Sequence, residues 1–333
     1  MTLQQRISAF NSLGVFLKNS ISANELNADF ARICSRAELQ NPWFTRDNIL
    51  LAIRSIVSIL EMSSLENWIA QSPWLEKNKR IALVLQGKTP IDGFFDILAI
   101  LLSGNILSLK LAEKDKILVQ YVLEKLIEIE PEFKGKIIIS NTILPQFDAI
   151  ITENTNAQFA TYFAKFPHLI RNPKTSVAVL NGRETIDDLQ KLGNDIFCFF
   201  GQSEQNVTKL YIPLDFDEKR ILDALEQFNF VAMHYKYMNN YEYNKSIYLV
   251  AQQTHLDNGF MILKEDERLK PPLAVVYYER YSDLQSVKQV IMQHEDEIRT
   301  IITNESSLFT RTKLFGNAFD SCLEDYDTLM KLQ

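Results

Sequence analysis

Cysteine is scarce in this 333-residue chain: Cys34, Cys198 and Cys322 stand far apart and form no Cys-x-x-Cys pair. That spacing argues against a disulfide framework and a cysteine-held structural metal, and for a reducing, cytoplasmic compartment. The histidines are as sparse. His168, His234, His255 and His294 are dispersed without metal-ligand spacing, so no metal is expected. No block of like charge occurs, and a net charge of −7 with interspersed signs excludes a basic face for nucleic acid or anionic membrane. No internal repeat or low-complexity tract is visible, which disfavours a solenoid. The first ten residues, Met1 to Phe10, lack an apolar core and a small-residue cleavage site, so no secretion signal is expected there. Long apolar runs are also missing. The nearest approach, Ile91 to Leu111, is interrupted by Asp92, Asp96 and Ser103-Gly104-Asn105, whereas a spanning helix needs about 20 largely uncharged residues.

What is present is 46% hydrophobic content in a chain long enough for two cored domains. Apolar positions at three- and four-residue spacing predict amphipathic helices over 3–18 and 45–71, the second capped by Thr45 after Asn41-Pro42. The pattern then changes. Short apolar runs predict strands at 79–85, 107–111, 136–140, 148–152 and 176–180, with helices in the 91–102 stretch and over 114–129 between them. Alternation at this spacing predicts right-handed parallel crossovers and a doubly wound sheet. A second α/β unit is expected after Gly182, with helices over 185–192, 217–237 and 283–295 and strands at 210–212, 248–251, 273–278 and 299–303.

Residues 197–213 carry the most specific signal: Phe197-Cys198-Phe199-Phe200-Gly201-Gln202-Ser203-Glu204-Gln205-Asn206-Val207, then Lys209-Leu210-Tyr211-Ile212-Pro213. This segment resembles the cysteine turn of the LuxC-like acyl-CoA reductase family, Phe-Gly-x-x-Cys-x-Asn-Val followed by a Lys-Leu-x-Val/Ile-Pro strand. Further similarity runs along the chain in order, including Asn41-Pro42-Trp43-Phe44-Thr45, Leu107 to Lys116, Phe147-Asp148-Ala149, His255-Leu256-Asp257-Asn258-Gly259-Phe260 and Phe315-Gly316-Asn317-Ala318. The resemblance implies an aldehyde-dehydrogenase-like fold: a helical segment at 1–75, a Rossmann-type nucleotide domain at 76–181, a catalytic-type domain at 182–303 and a tail at 304–333 that packs back on the first domain. It also implies NADPH as cofactor, a long-chain acyl thioester as substrate, and acyl-CoA, an acyl carrier protein or other subunits in a homo- or hetero-oligomer as partners.

Family chemistry begins with a thiolate that attacks the thioester and holds the acyl group until hydride arrives. Glu204 occupies the position of that cysteine, and a carboxylate is a poor nucleophile toward a thioester. Ser203 is adjacent but has no local base, and Cys198 reads as a core thiol in an aromatic run. Lys88, in Gln86-Gly87-Lys88-Thr89-Pro90, replaces the family asparagine that stabilises the oxyanion. A Lys88–Glu204 salt bridge closing the old pocket is one expectation.

For the cofactor, Lys110 and Glu113 match the ribose-contacting Lys-x-x-Glu/Ser after the second strand; the bland alternative is a solvated helix start. The phosphate loop is expected to begin at Thr152. Here Thr152-Glu153-Asn154-Thr155-Asn156 has no glycine, and Glu153 puts negative charge where phosphate would lie. The tyrosine-rich stretch Tyr235–Tyr248 reads either as a loop on a sheet edge or as the wall of an acyl or partner groove. Three functions stay open: a pseudoenzyme binding acyl groups or regulating a partner, an active reductase with a substituted mechanism, and a fold-only interaction protein.

Overall fold

The computed structural model forms two α/β units, Met1–Asn172 and Pro173–Asp320, and describes residues 1–21, 27–70, 78–140, 146–153, 161 and 163–320. Four helices open the first unit: α1 Leu3–Ser20, α2 Ala28–Gln40, α3 Arg46–Ile59 and α4 Met62–Ala70. Thr45 caps α3 through the Asn48 amide, as its sequence context predicts. The single helix expected over 45–71 is instead two, bent by 63° after Ile59. Helix α2 has no counterpart in the sequence expectation. Its buried face is only Phe30, Cys34 and Ala37, too small a stripe to stand out by periodicity. No single helix among the described residues is long and apolar enough to cross a membrane.

Five parallel strands follow: β1 Arg80–Val84, β2 Ile106–Lys110, β3 Ile137–Ser140, β4 Ala149–Glu153 and β5 His168–Arg171, in the order β3-β2-β1-β4-β5. Helices α5 Phe94–Leu102 and α6 Lys116–Ile129 make crossovers between them. In α5 every residue but Phe95 is buried, which is why its composition looks like a membrane segment cut short. The chain runs outward from β1 through β2 to β3, then resumes on the other side at β4. The β1/β4 junction is therefore the topological switch point, where the carboxyl ends of an open α/β sheet leave a crevice.

The second sheet has the order β12-β11-β6-β7-β10-β9-β8 and is parallel except for the β8/β9 pair. Its strands are β6 Thr175–Val179, β7 Val207–Pro213, β8 Leu256–Asp257, β9 Ile262–Glu265, β10 Val275–Tyr281, β11 Ile298–Ile302 and β12 Thr312–Lys313. Its helices are α7 Ile186–Phe197, α8 Lys219–Leu225, α9 Tyr235–Val250 and α10 Leu284–Gln293. Strand β6, expected at the end of the first domain, hydrogen-bonds to β7 and β11 and so lies within the second sheet.

The stretch 235–248 is neither loop nor strand edge. It is α9, because Tyr237, Tyr241, Asn244 and Tyr248 fall on one face and bury it, and the strand expected at 248–251 is that helix's end. The helix expected over 217–237 breaks at His234, whose extended backbone and Nδ1 cap α9. Of the expected tail, residues 312–313 add a strand to the second sheet and residues 321–333 lie outside the described residues.

Candidate active site

Helix α7 ends at Phe197, and the chain reverses through three consecutive left-handed residues, Phe199 (φ 51°), Phe200 (φ 56°) and Gly201 (φ 78°). Glycine takes this conformation freely, but two phenylalanines do so only when their surroundings compel it, at roughly 1–3 kcal/mol each. The rings supply part of that compulsion. Phe199 packs on Phe319 at 5.3 Å and Phe200 on His234 at 4.4 Å. Asn206 supplies the rest. Its buried Nδ2 donates to the carbonyls of Asp195, Ile196 and Cys198, satisfying the end of α7, while its Oδ1 accepts from the Ser203 amide at 2.8 Å.

Each candidate nucleophile on this turn is accounted for structurally. Glu204 Oε1 accepts from the Lys174 amide at 3.0 Å, and its carbonyl accepts from Ser176 Oγ. The Ser203 hydroxyl accepts from the Gln205 amide, a local turn contact. Cys198 is pushed up to about 12, by burial first and then by the Asp195 carboxylate. Its thiol is thus protonated at neutral pH and inert. Beside Phe200 and Tyr237 lies a cavity of about 90 Å³, small against the ~300–1,000 Å³ of ligand sites. Folded protein at pH 8 is expected to leave Cys198 unmodified by iodoacetamide, with alkylation following denaturation. Peptide mapping that found Cys198 alkylated at the rate of a free thiol would contradict a thiol held protonated at this half-buried position.

In the first unit the switch-point crevice brings Lys88, Lys110 and Thr152 to the carboxyl ends of three adjacent strands. Val84, the last residue of β1, pairs in register with Lys110 on β2 and with Thr152 on β4. Gly87 follows at φ +65°, where a Cβ would lie 2.8 Å from that of Ala112, so the turn after β1 admits only glycine without rearrangement. Lys88 Nζ is ion-paired with Glu153, the last residue of β4. The Lys88–Glu204 bridge is therefore corrected: Lys88 sits beside Glu153 on neighbouring strand ends, and Glu204 has Lys174 within its own unit. The Thr152 side chain is buried, with its hydroxyl on the Glu153 carbonyl. Glu113 is exposed in a short 3-10 turn, and its carbonyl accepts from Gln40. The rest of the expected phosphate loop, Asn154-Thr155-Asn156, lies outside the described residues.

Further carboxylates crowd the same sheet end. Asp92 accepts from the Lys88 amide, and its own amide donates to Asp115 Oδ2 at 2.9 Å. Asp96 holds Arg171 in a bidentate pair at 2.5 and 2.7 Å. Asp92 is pushed up to about 6 by burial and then by Glu153; Asp115 is raised well above the carboxylate range by burial and then by Asp92. These described residues do not fit a dinucleotide phosphate, since Lys88 and Arg171 are already paired to carboxylates. Among the described residues no group of three or more His, Cys, Asp or Glu side chains is arranged to hold a metal.

No protein-family model matches the chain, and no curated protein matches it. Solved structures do. A probable aldehyde dehydrogenase from Listeria monocytogenes superposes with a TM-score of 0.65 at 11% identity, over 98% of this chain and 84% of the other. An acetylating aldehyde dehydrogenase from Geobacillus thermoglucosidasius gives 0.60 at 10%, over 92% and 78%. The fold is that of an aldehyde dehydrogenase. A third structure with this fold, a mutant of aldehyde dehydrogenase C from Pseudomonas syringae complexed with NAD+ and octanal, gives 0.62 at 11%, over 90% and 71%.

On this aldehyde-dehydrogenase frame, sequence reasoning missed Asn206 as the clamp of the turn, the Asp96–Arg171 pair and the carboxylate Asp195. Asp195 accepts from the Gly316 and Ala318 amides and is pushed up to about 6, chiefly by burial. A charged residue on the apolar side of α7 was the available signal. Its native carboxyl holds a proton more tightly than in the unfolded chain, near 3.9. Between about pH 4 and 6 the native state thus binds more protons, and stability falls as pH rises. The loss from Asp195 is on the order of 3 kcal/mol. Urea unfolding at pH 4.5 and 7.5 is expected to show about 2 kcal/mol of it on top of the same-signed contributions of Asp92 and Asp115, and Asp195→Asn should shrink the dependence by that amount; an unchanged slope would remove Asp195 as a source.

Proposed function

We propose that this chain is an acyl-CoA-reductase-type protein that has lost thiolate catalysis on a retained fold. It acts in the cytoplasm as a binder of acyl groups or of an acyl carrier protein, or as the regulatory subunit of an active partner, in a homo- or hetero-oligomer. The observation that supports this reading best is that Glu204, which the resemblance puts in the nucleophile's position, accepts from the Lys174 amide, while the half-buried Cys198 thiol is held protonated. Lys88, which the resemblance puts in the oxyanion position, supports it, because Glu153 neutralises its ammonium. An NAD+ and octanal complex of the same fold supports acyl or aldehyde chemistry as its ancestry. The carboxylates at the switch point support weak NADPH binding.

Incubation of the pure protein with palmitoyl-CoA and NADPH tests the loss. No aldehyde and no covalent acyl adduct by intact mass are expected, while palmitoyl-CoA binding by calorimetry is retained. Aldehyde formation would refute the loss of catalysis and favour a reductase with a substituted nucleophile. Absence of palmitoyl-CoA and carrier-protein binding together would leave a fold-only interaction protein.

A further inference from the structure

Helix α9 carries apolar side chains on both faces. Tyr237, Tyr241 and Tyr248 bury one face together with Asn244. Yet its eight exposed positions include Tyr235, Tyr243, Ile247, Leu249 and Val250, and Met233 stands 88% exposed at its amino end. A surface helix of a globular protein sets charged and polar residues toward solvent instead. From the ~150–250 Å² of an aromatic side chain and the smaller aliphatic ones, these six leave on the order of 500 Å² of apolar surface bare. That is the size at which an exposed patch marks an interaction site. With Asn239, Glu242 and Ser246 among them, it approaches the ~800 Å² per partner of a stable interface.

The charge among those eight positions is Glu242. A helix that lies on lipid presents Lys and Arg on its polar side, whereas Lys236 and Lys245 are half-buried here and Lys245 is paired with Asp257. The order of residues names a different occupant. Outward from the midpoint between Glu242 and Tyr243, the two halves of the helix match in burial and in chemistry. Buried Tyr241 corresponds to buried Asn244, and Tyr237 to Tyr248. Exposed Asn239 corresponds to Ser246, exposed Tyr235 to Val250, and half-buried Met238 to Ile247. A two-fold axis at that midpoint would bring like to like between two antiparallel copies, because an isologous interface sets residue i on j and j on i.

We propose that the exposed face of α9 binds the same face of a second copy of this chain, the two helices antiparallel about a two-fold axis between Glu242 and Tyr243. Tyr235 packs on the partner's Val250 and Met238 on the partner's Ile247, while the Asn239 amide meets the hydroxyl of the partner's Ser246. At the axis the Tyr243 phenol donates to the partner's Glu242, twice over, so each carboxylate meets a donor rather than its own twin. Leu249 lies on the stem of the partner's Lys236, an apolar chain beneath a charged end. This surface uses neither the Glu204 turn nor the switch-point residues, so it stands whether or not the reading of lost catalysis holds.

Sedimentation velocity of the full chain at tens of micromolar is expected to show twice the 38.5 kDa chain mass. Ile247→Glu combined with Val250→Glu should raise the Kd of the dimer at least about 100-fold. Both positions are exposed, so the circular dichroism of this double variant should match that of the native protein. Asn239→Cys combined with Ser246→Cys tests the register. Seven residues of helix separate these positions by about 10 Å, beyond the reach of a disulfide within one chain. Oxidation should therefore join position 239 of one copy to position 246 of the other, as read by peptide mapping. A monomer at tens of micromolar would overturn the proposal, as would a dimer indifferent to the changes at 247 and 250, or a bridge from 239 to 239, the mark of a parallel pair. The native protein and the disulfide decide the matter even if the variant at 247 and 250 fails to fold; the palmitoyl-CoA and NADPH assay is independent of every one of these outcomes.

Discussion

Asn206→Ala is expected to lower the unfolding free energy by about 3–5 kcal/mol, among the largest losses available from one side chain of this protein. Asn206 is fully buried, and its amide serves three carbonyls at the end of α7 and the Ser203 amide at once. Alanine would leave these groups without water or partner, and a buried unsatisfied polar group costs roughly 1–3 kcal/mol. Asn206→Asp keeps the acceptor but turns both donors into a carboxylate facing carbonyl oxygens, so it should be no less harmful. Urea unfolding of both variants measures this. A loss under about 1 kcal/mol for Asn206→Ala would mean that the turn is held by its rings alone. Phe200-Gly201 and Asn206-Val207 build the reversal, which the fold needs whether or not a nucleophile rides on it.

Glu153→Gln is expected to tighten NADPH binding by at least about tenfold, from a weak starting point. In the native chain Glu153 neutralises Lys88 and places a carboxylate at the end of β4, beside the crevice. Two charges about 4 Å apart at an effective dielectric of 20 interact by about 4 kcal/mol, so removing the carboxylate and freeing the ammonium acts twice in the same direction. Fluorescence titration with NADPH at low salt reads the change. Lys88→Gln in the Glu153→Gln background should reverse most of the gain, which ties the effect to the ammonium. Equal affinities in native and Glu153→Gln protein would show that this ion pair does not limit nucleotide binding.

Much of the architecture was legible without coordinates. Strands β1, β2 and β4 are short apolar runs ended by glycine or polar residues, α6 has a clear apolar stripe, and their alternation implies the parallel sheet. The misses share a cause. Helix α2 buries small residues, β5 is a four-residue edge strand with an exposed first residue, and α9 hides its amphipathicity because its buried face is tyrosine and asparagine. Tyr241 is held there by the Asp257 carboxylate and Asn244 by the Leu273 carbonyl, both distant in sequence. No hydropathy pattern encodes such partners.

The candidate site divides in the same way. That no cysteine stands at position 204, and that no glycine stands in residues 152–156, are facts of covalent sequence, and they alone raise the question of lost chemistry. Which groups neutralise one another is decided by folding. Lys88 was as compatible with Glu204 as with Glu153 until the switch point put the ends of β1 and β4 side by side. Ionic and hydrogen-bond partners depend on distances of a few ångströms between residues far apart in the chain, and only the packed tertiary structure sets those distances.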